Sequence, residues 1–228
     1  MNPVVELIVQ AGLGDRVLSE GELADLVGGS DARRYGLVNR ALKDGSLIRL
    51  KRGTYMLSSQ YQSVPVHPFA IAQALLPGSY ISFETALAYH GWIPEAVHTT
   101  ASVTPGRKTL LYDTVHAGRF SFHPLALRDY QFLTAIDRHK LGVLTAFIAR
   151  PLRALMDLVA FRKERWMGLD WLTLGMRIEL SSLLAVHSKE FAALARVYKH
   201  KSPNAFLREL EATLCKEMPP RREAYVHD

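Results

Sequence analysis

Seven cationic side chains fall within residues 33–52: Arg33, Arg34, Arg40, Lys43, Arg49, Lys51 and Arg52, against the single acid Asp44. Their shared chemistry is recognition of a polyanion. Lysine supplies a point charge for phosphate, and the planar fork of arginine matches the two acceptors on the major-groove edge of guanine. The preceding 32 residues have the opposite character, with Glu6, Asp15, Glu20, Glu22, Asp25 and Asp31 against Arg16 alone. A segment of −5 followed by one of +6 implies a polarised surface with one face built for an anionic partner. On charge alone the alternative is an ordinary solvated face.

Residues capable of covalent or acid–base chemistry do not gather in the same way. "GGSD" at 28–31 opens like a nucleotidyltransferase signature, but no Asp-x-Asp or Asp-x-Glu pair follows within reach. The glycines there are better explained by a turn between helices. GxxxxGKS/T, GxGxxG and HExxH are all absent. The nine histidines include no pair at helical i, i+4 spacing, and His116 and His123 flank an expected hairpin. Ser82 and His90 are placed as a helix cap and a helix residue, not as a nucleophile and its base. Asp157, inside an apolar helix, reads as a buried hydrogen-bonding group, and the lone Cys215 as core packing. No catalytic residue, metal ligand or cofactor is expected.

Elements that would position the cations are signalled locally. Asn2 caps a first helix with Pro3 at its first position, and Val4, Leu7, Ile8 and Ala11 share a face before Gly12. Ser19 and Glu22 form a capping box for a second helix that buries Leu23, Leu26 and Val27 and stops at Gly28-Gly29. Ser30 caps a third, with Asp31 in its first turn and Tyr35, Val38, Ala41 and Leu42 facing inward. That phase leaves Arg33, Leu37 and Arg40 on the outer stripe, flanked by Arg34 and Lys43. Such a helix lies in the DNA major groove, with Arg33 and Arg34 at base edges and Arg40 and Lys43 at phosphates. Asn39 is assigned either a base contact or an inter-helix hydrogen bond. "LIRLKRGTYML", residues 47–57, alternates, turns over Lys51-Arg52-Gly53 and alternates again. Ile48, Leu50, Tyr55 and Leu57 supply its packed face, and Arg49, Lys51 and Arg52 would grip the sugar-phosphate backbone. Residues 1–62 are therefore expected to form a winged helix-turn-helix domain.

Residues 63–228 are expected to form a mixed α/β domain with a helical tail, making the fold class α+β. Polar Ser58–His67, interrupted by Pro65, reads as the linker. A helix starting at Pro68, a short strand at Tyr80-Ile81 and a helix behind Ser82 come next. Strands follow near 97–104, 109–115, 118–124 and 143–148, then a helix from Pro151. In the tail, Leu180, Leu183 and Leu184 form one stripe and Phe206, Leu207, Leu210 and Leu214 another. The longest apolar run, Leu141–Ala149, is about half of the roughly 18 residues a membrane helix needs, so no membrane partner is expected. One cysteine excludes a disulfide framework, and the N-terminus lacks a basic leader pattern, so a cytoplasmic location is expected.

A basic hairpin "LIRLKRGTYML" followed by "YISFETALAYHG" and "ARPLRALMD" resembles the AbiEi family of antitoxins from bacterial abortive-infection toxin–antitoxin systems, over roughly residues 1–165. Tyr80, Ser82, Ala86, Leu87 and Gly91 fall where the family has its strand–cap–helix unit. Ala154, Leu155 and Asp157 match its last motif, and Leu152-Arg153 stands in place of the family's acidic–lysine pair. The resemblance implies a DNA-binding repressor that acts on double-stranded DNA of its own promoter. It also implies an antitoxin that counteracts a nucleotidyltransferase toxin without requiring a stable complex. The Leu152-Arg153 departure keeps open a solitary winged-helix regulator, beside a protein-interaction module without a toxin partner. A DNA-bound nuclease is disfavoured because no carboxylate cluster accompanies it.

Overall fold

Side-chain caps set the first helices in a computed structural model that describes residues 2–217. Asn2 Oδ1 accepts from the Val4 N–H at 3.0 Å and opens α1 (Pro3–Gln10). A two-residue strand, β1 (Leu18–Ser19), leads into α2 (Glu20–Val27), where Ser19 and Glu22 form the full capping box. Ser30 caps α3 (Asp31–Lys43), and the hairpin of β2 (Leu47–Lys51) and β3 (Thr54–Leu57) follows. The three strands make a small antiparallel sheet in the order β1-β3-β2.

That hairpin is packed on both faces. Leu47, Tyr55 and Leu57 close the core of the three helices, whereas Leu50 and Met56 belong to the core of the rest of the chain, with Ile48 packed against it. The single packed face of Ile48, Leu50, Tyr55 and Leu57 is thus corrected. An unbroken two-residue hairpin would pair 50 with 55 and 48 with 57. A bulge between Arg49 and Lys51 shifts the register by one, so Arg49 faces Tyr55 and Ile48 faces Met56. One extra residue exchanges the partners of every side chain behind it.

Segment 58–67, expected as a linker, is fastened to the first unit. It begins with a single 3-10 turn at Ser59–Tyr61, and Asp15 Oδ1 accepts from the N–H groups of Ser63 and Val64 at 2.7 and 3.2 Å. The chain continues through α4 (Pro68–Leu75), β4 (Tyr80–Ile81), α5 (Phe83–Tyr89), β5 (Thr99–Thr104), β6 (Leu110–Thr114) and β7 (Gly118–Pro124). Then come β8 (Ile136–Leu141), β9 (Leu144–Ala149) and α6 (Pro151–Arg162). The six strands form one mixed sheet, order β6-β7-β5-β4-β9-β8, with β5–β7 and β4–β9 parallel. β8, "IDRHKL", carries no alternating apolar signal in the sequence; its antiparallel ladder with β9 holds it, and Ile136 and Leu141 at its two ends pack on the core. At the opposite edge, β6 lies beside β2 of the small sheet.

The tail is helical: a π-helical turn at Trp171–Gly175, α7 (Leu180–Leu184), α8 (Ser188–Leu194) and α9 (Lys201–Glu217). Phe206, Leu207, Leu210 and Leu214 of α9 are buried, and Trp166 and Trp171 meet the Phe206 ring edge-on. Cys215 is exposed, not core packing, because it follows Leu214 and is turned about 100° away from that stripe. Leu183 is buried, whereas Leu180 faces solvent in part. Among the described residues no helix is long and apolar enough to cross a membrane.

Candidate nucleic-acid interface

Ala41, fully buried, sets the phase of α3. Its methyl group lets the helix approach α1, and the positions three and four residues before it, Val38 and Leu37, turn to the same side and pack on the helical core. Tyr35 is 74% exposed. The expected phase is corrected accordingly: Tyr35 points outward and Leu37 inward, because packing against α1 selects the small residue over the ring.

This rotation divides the cations among four settings. Tyr35 and Asn39 of α3 meet Arg49 and Arg52 of the hairpin in a cleft of about 430 Å³ that Arg34 also lines. Arg40 and Lys43 lie on the other flank of α3, beside Asn2 and Pro3 of α1. Arg33 folds over Gly29, which has φ +78° and where an added Cβ would lie 3.1 Å from Arg33 Cδ. Lys51 is turned away from all of these: its Nζ donates to the Leu75 carbonyl in the last turn of α4 at 2.5 Å.

Two of the expected contacts are therefore corrected. Arg34 is not extended toward a base edge; its guanidinium is paired with Asp31 and donates to the Gly29 carbonyl, closing on the first turn of its own helix. Lys51 is not a free cation of the hairpin tip, because the bulge beside it and the apolar Leu50–Met56 face carry it against α4. The tip itself is pinned. The Glu20 N–H donates to the Gly53 carbonyl at 2.9 Å, and Gly53 at φ +74° leaves room for the Glu20 carboxylate. Among the described residues Arg33, Arg40, Lys43, Arg49 and Arg52 have no ion-pair partner. Glu20 and Asp31 bring two carboxylates into the same cleft.

A second polar centre lies inside the larger unit. Asp157 and Arg153 of α6 are both 0% exposed and paired at 2.8 Å. One Asp157 oxygen also accepts from Tyr198 at 2.7 Å, and the other accepts from Tyr80 at 2.9 Å and Ser82 at 2.8 Å. Arg153 donates to the Thr134 carbonyl at 2.7 Å and to Tyr80 Oη at 2.6 Å. Burial works against the guanidinium charge, but the Asp157 carboxylate reverses it and holds Arg153 above its ordinary range. Burial drives both tyrosines the same way, further from ionisation. Ser82 sits at the cap position of α5 yet makes no cap hydrogen bond, since its hydroxyl is committed to Asp157. The i, i+4 spacing of Arg153 and Asp157 within an apolar helix is the sequence signal for this centre. Among the described residues no three metal-ligating side chains converge.

Burial also holds the imidazoles of His67, His90 and His123 below their ordinary 6.5, with the Ala149 carbonyl and Asp137 partly opposing it at His90 and Glu84 at His123. These rings stay neutral in the fold while the unfolded chain takes up protons as pH drops through 6.5. Their contribution is present above that value and is lost as pH falls from it toward the lower folded values. Carboxylates held low, such as Glu22 and Asp137, act below about 4.5 and leave this window to the histidines. Urea denaturation at pH 7.5, 6.5 and 5.5 should show stability falling with pH. His123→Phe, which keeps the stack on Phe83 and Phe161, should make the slope shallower.

Neither a scan against protein-family models nor a search of curated proteins finds a match to this chain.

Proposed function

We propose that this chain is a winged-helix, DNA-binding repressor of its own operon and the antitoxin of an AbiEi-type pair, counteracting a nucleotidyltransferase toxin without a stable complex. The observation that carries the reading is the meeting of Asn39 from α3 with the unpaired Arg49 and Arg52 from the hairpin in one cleft, beside the exposed Tyr35. A groove-reading helix and a phosphate-gripping hairpin need this adjacency. Three capped helices, the β1-β3-β2 sheet and the "YISFETALAYHG" and "ARPLRALMD" motifs support it further. No catalytic step is assigned. Asp157 is sealed within its hydrogen bonds, in keeping with a structural role.

Glu20 and Asp31 in the same cleft favour the second reading, a protein-interaction module, because they would repel phosphate. An electrophoretic shift assay with the duplex upstream of this gene separates the two. Under the first reading, Arg49→Ala and Arg52→Ala each flatten the slope of log affinity against log salt by about one. Lys51→Ala leaves the slope unchanged, since its ammonium is already committed to Leu75. Asn39→Ala, at the helix side of the cleft, narrows the gap between operator and scrambled DNA by about 1–3 kcal/mol. A full-length protein that shifts no duplex at low salt would remove the DNA reading. The antitoxin half expects a nucleotidyltransferase gene beside this one, and protection from its product on co-expression tests it.

A further inference from the structure

We infer a second anion site, unrelated to the cleft above: a binding pocket for a phosphorylated ligand between the end of α6 and the start of α9. Lys163, Arg165, His200 and Lys201 surround a cavity of about 610 Å³, and no carboxylate lines it. This volume lies within the range of small-molecule sites. The remaining wall is largely apolar and includes Pro124 and Leu125.

Two short basic segments, 163–165 and 200–201, are tied by one side-chain hydrogen bond, and a second residue fixes the turn of the latter. Ser202 Oγ donates to the Glu164 carbonyl at 3.4 Å, and Asn204 Nδ2 donates to the carbonyls of Tyr198 and His200 at 3.1 and 2.9 Å. The Tyr198 hydroxyl is in turn anchored on Asp157, so the wall carrying His200 and Lys201 is set by the buried centre. Lys163 occupies a left-handed conformation, φ 59°, at the end of α6, where glycine is the residue of least strain.

Lys163, Arg165 and Lys201 bring like charge to one cavity wall. Among the described residues none of the four basic side chains has an ion-pair partner. Lysine and arginine offer donors and no acceptors, so the matching ligand group presents acceptors and negative charge, as phosphate does. The apolar wall suits the sugar or ring to which that phosphate is attached. A free nucleotide and a backbone phosphate of DNA share this chemistry, and the experiment distinguishes them.

Calorimetric titration of the full chain with ATP and with inorganic phosphate, beside salt titrations on duplex DNA, reads both sources. Arg165→Gln/Lys201→Gln changes two exposed side chains and should leave the fold intact. If the ligand is a free nucleotide, the wild type binds ATP and the double variant binds it about a hundredfold more weakly. If the phosphate belongs to DNA, ATP does not bind and the double variant flattens the DNA salt slope by about two. Lys163→Gly relieves the left-handed strain, so it should melt no lower than wild type while weakening the same ligand about tenfold. ATP binding that the double variant leaves untouched would overturn the inference. So would a protein that binds neither ATP nor inorganic phosphate and whose DNA salt slope is the same in both forms.

Discussion

Asp157→Ala is expected to destabilise the protein by about 3–5 kcal/mol, the loss found when one partner of a buried ion pair is removed. The Arg153 guanidinium would remain fully buried with its countercharge gone, and the hydroxyls of Tyr80, Ser82 and Tyr198 would lose their common acceptor. Arg153→Met should be milder, because the three hydroxyls still donate to the carboxylate. Replacing both residues by Met and Leu is often harmless for an isolated buried pair. Here it should not restore wild-type stability, since each orphaned hydroxyl costs about 1–3 kcal/mol. Guanidinium denaturation curves of the three variants test the ranking. An Asp157→Ala protein within about 1 kcal/mol of wild type would mean that the centre contributes nothing to the fold.

The second large effect is expected on cutting the chain after residue 62. In the full protein Leu50 and Met56 are each 5% exposed, and the core they enter belongs to the residues that would be removed. Exposing two such side chains forfeits about 1.5–3 kcal/mol apiece. A unit of this size has about 3–9 kcal/mol of stability in all. The Lys51 hydrogen bond to Leu75 is lost as well. A fragment of residues 1–62 should therefore be largely unfolded at 25 °C, with a helical circular dichroism signal far below its share in the intact chain. A fragment that melts cooperatively at the temperature of the full protein would show that the hairpin's outer face is dispensable.

Signals confined to a few neighbouring residues are legible in the sequence. The caps at Asn2, Ser19 and Ser30 each depend on atoms within three residues, and all three form as expected. Tertiary contact decides the rest. The hairpin register turns on one bulged residue that no composition rule marks, and the phase of α3 turns on which side of Ala41 meets α1. β8 escapes the pattern because its two apolar residues, Ile136 and Leu141, stand at its ends and on opposite faces, while Asp137, Arg138, His139 and Lys140 between them read as surface. The hydroxyl partners of Asp157 lie 77, 75 and 41 residues away, beyond any local pattern. The basic residues can be counted from the sequence, but their destinations cannot. Lys51 and Arg52 are adjacent, yet one ends on α4 and the other in the cleft.

The two ends of the six-stranded sheet differ in how they meet other molecules. β6 has β2 of the small sheet beside it, whereas β8 presents a row of backbone groups that no strand of this chain pairs with among the described residues. Such a rim is a template on which a foreign strand can grow. In a parallel, in-register approach of a second copy of β8, the exposed Arg138 and Lys140 would set like charges against each other. That deterrent is electrostatic and fades within a few ångströms once salt is concentrated. Neutralising Arg138 and Lys140, both exposed, is thus expected to leave the core unchanged while removing a like-charge barrier at this rim.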